Sequence, residues 1–284
     1  MGPEVIITYE QIEQFPDRVR LIYAEFDKLI RADSDLHRCF ALCEGILQRK
    51  NDLTLSERLE FHQAQRILEA IVNCYDILTV EERSAFKGLI AQIEANSLAP
   101  KEPSEFDGLN AVFELEYIQY LRHRKVSAKL GEPDIVVSTR FGDYHVACKS
   151  INSFRNIKRH LEKAAEQIAK RGFGFVALNF EPHVHYDGVV TTDDPREVFR
   201  ALDKNAIDLY KAYEDMFNDM LKTGGFDGIT IQICCIARLI GQETDLNTMA
   251  HNVYYSRSEH QSKAAVERFN YFRSAMQGPN SFFR

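Results

Sequence analysis

The sequence predicts an α/β protein, α+β overall: an all-helical N-terminal domain over residues 1–100, a linker at 101–108, and an α-β-β-α-β core with extra helices and strands over 109–284. Three observations predict it. A helix-start signal recurs three times in the first hundred residues, a Pro- and Gly-bearing stretch follows, and beyond it helical spacing gives way to short apolar runs.

The three start signals are Thr8-x-x-Gln11, Thr54-x-x-Glu57 and Thr79-x-x-Glu82. In each, the threonine hydroxyl can accept a backbone N–H while the residue three on reaches back to cap it. Apolar residues then recur at helical spacing: Leu21, Phe26, Leu29 and Ile30 after the first signal, Leu59, Ile67, Leu68 and Ile71 after the second. A further helix is expected from about Asp35 to Gln48. Residues 98–108 hold two prolines, a glycine and four charges without periodicity, so the boundary falls there.

The second domain opens with a helix at about 109–122, followed by strand-like runs at Asp134–Ser138 and Tyr144–Lys149. A helix at about 153–171 and an apolar strand at Phe173–Phe180 complete the order. Asp193-Asp194-Pro195 opens one long helix that Gly224-Gly225 closes, ahead of a buried strand at Gly228–Ala237. A strand near Val253–Ser256 and a helix near 259–276 end the chain.

Composition removes several classes. Hydrophobic residues make up 45% of the chain, enough to exclude a disordered protein. No run approaches the roughly 20 apolar residues of a membrane span, and no secretory pattern is visible at Met1-Gly2-Pro3-Glu4, so the expected setting is cytoplasmic, away from membranes. Six cysteines form no Cys-x-x-Cys, and Cys39 with Cys43, one helical turn apart, reads as core. His183-Val184-His185 offers two imidazoles for a transition metal but has no second ligand pair. Phosphate-loop, zinc-protease and serine-hydrolase motifs are all absent from the sequence.

Four residues stand out for chemistry. On a helical wheel Glu114 sits in the middle of the apolar face made by Ala111, Tyr117, Ile118 and Leu121, whereas Glu116 falls with Gln119 and His123 on the polar, solvated side. A buried carboxylate needs a partner, so Glu114 faces a cation, a metal or an opening of the core, or makes a structural ion pair. Asp134 follows Pro133 at the mouth of an apolar strand, where it either serves a site or satisfies backbone amides of a turn. Lys149 ends the strand across the Phe141-Gly142-Asp143 turn, and Gln167 borders the stripe of Ile157, Leu161, Ala164 and Ile168. Each has an ordinary structural explanation alone.

In order, helix glutamate, strand aspartate, neighbouring-strand lysine and helix glutamine in an α-β-β-α-β unit, the chain resembles the restriction-endonuclease-like PD-(D/E)XK nuclease superfamily over about residues 109–181. The resemblance implies a Mg²⁺- or Mn²⁺-dependent DNA endonuclease or nuclease-like effector, in genome defence or DNA processing. It implies that Asp134 is the principal metal ligand, that Glu114 supports it, and that the Cys148 carbonyl completes the protein's share. Lys149 would position or deprotonate the attacking water, and Gln167 matches the glutamine of some branches. The departure is Ala147, where the pattern places an acid. His145 is on the same strand face as 147 and 149, while Glu162 and Glu166 lie off their helix's apolar stripe. With Ala147 the competing expectation is a catalytically inactive module that keeps the fold and binds nucleic acid or a protein.

The formal charge of −7 conceals an asymmetry: residues 122–171 hold twelve Lys and Arg against five Asp and Glu, a local +7 that leaves −14 elsewhere. Arg122, Arg124 and Lys125 on one side, and Arg155, Lys158, Arg159 and Lys163 on the other, bracket the candidate site and suit a phosphodiester backbone, though a basic surface can also simply balance the acidic remainder. The helical N-terminal domain is left for partner contact or self-association.

Overall fold

The computed structural model describes residues 7–99, 107–151, 153–181, 189–241, 246–257, 259 and 261–277. His183, His185 and linker residues 101–106 lie outside these. The chain divides into two compact units, Met1–Gln119 and Tyr120–Arg284, with the division inside one helix. The architecture is α+β, with a helical N-terminal region. Among the described residues no helix is long and apolar enough to cross a membrane.

The helical unit contains α1 (Tyr9–Glu25), α2 (Asp35–Cys43), α3 (Ile46–Arg49), α4 (Leu55–Asp76), α5 (Arg83–Ala95) and the first part of α6 (Asp107–His123). All three expected capping boxes form, at Thr8, Thr54 and Thr79. The box at Thr79 starts a 3-10 turn, Val80–Glu82, that leads into α5.

The single helix expected over 35–48 is instead two. Glu44 turns extended, and Gly45 takes φ +67°, a left-handed conformation that glycine adopts without a Cβ penalty. The first expected stripe also shifts. α1 ends at Glu25, so Leu29 falls outside it and is 89% exposed, as Leu21 is 71% exposed; Phe15, Val19, Ile22, Tyr23 and Phe26 form the buried side instead.

Helix α6 corrects the wheel argument. Glu114 is buried as expected, with the Asn110 amide donating to its Oε1 at 2.8 Å. Glu116 is not solvated: Arg66 on α4 grips it through Nε and a terminal nitrogen at 2.6 and 2.8 Å. Gln119 donates to the Ala70 carbonyl at 2.8 Å. Glu116 and Gln119 therefore face α4 and are satisfied by neighbours rather than by water, while His123 is exposed as expected.

The second unit carries the end of α6 and one seven-stranded sheet. Its strands are β1 (Ala128–Leu130), β2 (Ile135–Thr139), β3 (Gly142–Ser150), β4 (Gly174–Asn179), β5 (Val190–Thr192), β6 (Ile229–Leu239) and β7 (Asn247–Tyr255). The order is β1-β2-β3-β4-β6-β5, with β7 also on β6. β1, β2 and β3 run antiparallel, β3, β4, β6 and β5 parallel, and β7 antiparallel to β6.

Helix α7 (Ile157–Ala169) crosses from β3 to β4, and its stripe of Ile157, Leu161, Ala164 and Ile168 is fully buried. It shares one apolar core with Ala147, Val176, Leu178, Ile231 and Ile233 of the sheet. The same core takes in α8 (Pro195–Ala212) and α9 (Glu214–Lys222). These were expected as one helix; the break is at Tyr213, which leaves helical geometry at φ −124° and ψ 16°. On the opposite face α10 (Lys263–Gln277) packs Phe269 and Phe272 against Phe175, with ring centroids 5.8 and 4.3 Å apart. β1 and β5, three residues each, are too short to leave a periodic trace in the sequence.

Candidate active site

The candidate site is built where β2 begins and β3 ends. In β3 the N–H groups of His145 and Ile151 point to the parallel side, donating to the carbonyls of Phe173 and Asn179 at 3.0 and 2.8 Å. Even-numbered residues therefore direct their N–H groups toward β2. β2 starts at Ile135, opposite Val146, so the Cys148 N–H lies beyond its ladder. The Asp134 carboxylate takes the place of the missing strand partner: the Cys148 N–H donates to Asp134 Oδ2 at 2.6 Å. Asp134 thus satisfies a backbone amide, that of the neighbouring strand rather than of its own turn.

The same oxygen receives Lys149 Nζ at 3.2 Å, and that ammonium also donates to the Cys148 carbonyl at 2.8 Å. The two side chains are 10% and 9% exposed, so the pair sits almost wholly out of water. An ammonium carries three donors and a carboxylate two acceptor oxygens. One Lys149 hydrogen and Asp134 Oδ1 are left without a hydrogen-bond partner among the described residues. A buried ion pair with spare donor and acceptor capacity is a weak stabiliser but a chemically open one.

Ala147 is fully buried in the apolar core under α7. Its Cβ contributes packing and no ligand atom. His145, on the same strand face, has its ring committed elsewhere, donating from Nδ1 to the Glu132 carbonyl at 2.8 Å. Glu162 is exposed and lies 3.9 Å from Lys158. Glu166 is exposed as well. Among the described residues no three His, Cys, Asp or Glu side chains converge as a metal-binding group.

Within the second unit, the expected site residues are partly assembled. Asp134, the Cys148 backbone and Lys149 come together. Glu114 belongs to the helical unit, where Asn110 holds it. Gln167 is half-buried near the end of α7, and its Oε1 is buried without a hydrogen-bond partner.

The basic residues divide in two. Arg122 and Arg124 are half-buried and donate from Nε to the carbonyls of Ala128 and Met276 at 3.1 and 2.6 Å, which is scaffolding. Lys125, Arg155, Lys158, Arg159 and Lys163 are exposed. The last four line α7 and the turn before it, opposite the buried stripe.

Compared with known proteins, the chain matches no family model and no curated protein. The site has to be read from its own chemistry.

The feature that sequence reasoning missed is a second buried ion pair. Asp227, 4% exposed, takes both arms of Arg268 at 2.6 and 2.8 Å, and the guanidinium stacks on Phe173 with 4.4 Å to the ring centroid. Burial pushes the Asp227 carboxyl up, and Arg268 pulls it back. Only the odd charge of Asp227 before the apolar β6 could have signalled it. The pair fastens α10 to the sheet.

Proposed function

We propose that the second unit is a nuclease-like module that binds nucleic acid and hydrolyses its phosphodiester bonds with a divalent metal, as its resemblance to the PD-(D/E)XK superfamily suggests. The observation that supports this reading best is the junction of Asp134, Lys149 and the Cys148 carbonyl, nearly dry yet with one carboxylate oxygen and one ammonium hydrogen to spare.

Mg²⁺ is commonly held by one or two carboxylates and completed by waters and substrate phosphate. The residues present fit that minimal arrangement through Asp134 and the Cys148 carbonyl. They do not fit an all-protein cage, because Ala147 supplies nothing. When bound, such an ion would neutralise phosphate charge and acidify a water. Lys149, relieved of Asp134 by the competing cation, would aim its ammonium at a phosphate oxygen or an attacking water. Arg155, Lys158, Arg159 and Lys163 would hold the backbone, giving binding that weakens with salt. DNA as the polymer rests on the resemblance alone. A cytoplasmic setting belongs to this reading, as does a partner-binding or self-associating role for the helical unit. The six buried cysteines, none of them in a disulfide, accord with a reducing setting.

The test is incubation of supercoiled and linear DNA with the full chain and Mg²⁺ or Mn²⁺, beside Asp134→Ala and Lys149→Ala. Cleavage by the wild type and its loss in both variants is expected. Cleavage that persists in both removes the proposed site. A second reading, a module that binds nucleic acid or a protein without cutting, is favoured by the burial of Ala147 at the position of the missing acid. Salt-dependent binding without cleavage would select it.

A further inference from the structure

The turn that carries Asp134 is tied down by a residue with no part in the chemistry. Gly131 and Asp134 close the β1–β2 turn, the Gly131 N–H donating to the Asp134 carbonyl at 3.1 Å. Inside it, the Glu132 carbonyl accepts from His145 Nδ1 at 2.8 Å, across to β3. A carbonyl oxygen can only accept, so Nδ1 must carry a hydrogen in this geometry. The Glu132 side chain meanwhile meets Arg171 at 3.0 Å, an ion pair open to solvent that contributes little by itself.

The base under His145 is closely packed. Its carbonyl faces Gly174 so closely that a Cβ built there would lie 1.9 Å from the oxygen, so β3 and β4 meet at this point at backbone distance. His145 therefore projects from a closely paired strand, and its ring reaches the middle of a turn whose ends are held by the β1–β2 ladder and the Gly131–Asp134 backbone bond and whose Glu132 side chain makes only a surface ion pair. Two residues after Glu132, the Asp134 carboxylate makes its contacts with Cys148 and Lys149.

We infer that His145 is a positioning residue: its Nδ1–H holds the Glu132 carbonyl so that the Asp134 carboxylate stays at the Cys148 N–H and Lys149. The inference deepens the nuclease reading and rests on it for the purpose of the positioned carboxylate. The positioning itself is measurable without catalysis. It also gives the imidazole a task different from that of a substitute metal ligand for Ala147.

Two variants separate the hydrogen bond from the ring. His145→Phe keeps an aromatic ring and loses the donor. His145→Asn loses the ring but keeps a donor at the position of Nδ1. The full chain labelled with ¹⁵N-cysteine shows six amide signals, one for each cysteine, and Cys148→Ser assigns the one that matters. The charge-assisted bond to Asp134 holds that amide proton downfield and slows its exchange.

In His145→Phe the Cys148 amide is expected to move upfield and to exchange about tenfold faster, a typical consequence of losing one hydrogen bond. In His145→Asn it stays within about twofold of wild type. No change in Phe overturns the inference. The reverse pattern, Asn perturbed and Phe normal, overturns it too, because the ring rather than the donor would be at work. In the cleavage assay, Phe lowers kcat with KM for DNA little changed and Asn restores kcat. A wild type that never cleaves, with the Cys148 difference between Phe and Asn intact, overturns the nuclease reading while supporting the positioning role.

Discussion

Two buried ion pairs occupy different corners of the same sheet, and they are built differently. Asp227 and Arg268 meet as two parallel bonds at 2.6 and 2.8 Å, with an aromatic ring behind the guanidinium. Asp134 and Lys149 meet through one oxygen at 3.2 Å, and each keeps a bonding position in reserve. A planar fork fixes direction as well as charge; an ammonium is a point charge that swivels to another acceptor. The first pair is a fastener. The second, with a donor and an acceptor to spare, is the one that the proposed function would open by a competing cation or phosphate.

The sharpest way to break this comparison is to remove the cations in turn. Arg268→Ala leaves Asp227 buried without its counter-charge and is expected to cost about 3–5 kcal/mol in denaturant unfolding. A loss below about 1 kcal/mol would deny the pair its fastening role.

Glu69 on α4 is a half-buried carboxylate that accepts from the Asn73 amide at 3.2 Å, while nearby Arg66 is committed to Glu116. Burial pushes its carboxyl up from 4.5 to about 7. The unfolded chain therefore releases this proton first, and Glu69 erodes stability as pH rises from about 4.5 to about 7, with no further loss above. Glu69→Gln should stabilise the chain at pH 8 by about 1–2 kcal/mol, discounted for its half-buried side chain, and by nothing at pH 4. Equal effects at both pH values would refute the raised carboxyl.

Lys149→Met comes next. Asp134 retains the Cys148 N–H, so a loss of about 1 kcal/mol is expected, to which the proposed nuclease function adds loss of cleavage. A loss as large as that of Arg268→Ala would make the two pairs equivalent and end the distinction. The smallest effect belongs to α7. Arg159→Ala should change stability by less than about 0.5 kcal/mol. It should lower the slope of log affinity against log salt by about one for each phosphate contact removed.

Much of the fold was legible because its signals are local. The Thr-x-x-Gln/Glu boxes fix helix starts within four residues, the α7 stripe carries a helical period, and β3, β4 and β6 stand out as short apolar runs. What failed needed information from elsewhere in the chain. The wheel placed Glu116 in solvent because it cannot see Arg66, fifty residues away. Helical spacing placed Leu21 and Leu29 in a core, but Leu21 points away from the buried side of α1 and Leu29 lies beyond its end. At the candidate site, Asp134 and Lys149 were found in sequence because a Pro-Asp and a strand-ending lysine flank one hairpin. The role of His145 was hidden, since a bond to a backbone carbonyl leaves no trace in the identity of the residue that accepts it.

The hairpin has a consequence for the order in which the molecule is made. Asp134 and Lys149 are fifteen residues apart, joined by a tight turn between β2 and β3, whereas forty-one residues separate Asp227 from Arg268. A β-hairpin closes in about 1–10 μs, and contacts across longer stretches wait for larger loops to be ordered. The Asp134–Lys149 corner should therefore be present in the folding transition state before the fastener is. Val137→Ala in β2 should then slow folding, with a φ-value near 0.5–0.8, while Phe269→Ala in α10 should mainly speed unfolding. The opposite assignment of the two rates would show that α10 docks first and that the hairpin assembles on a finished sheet.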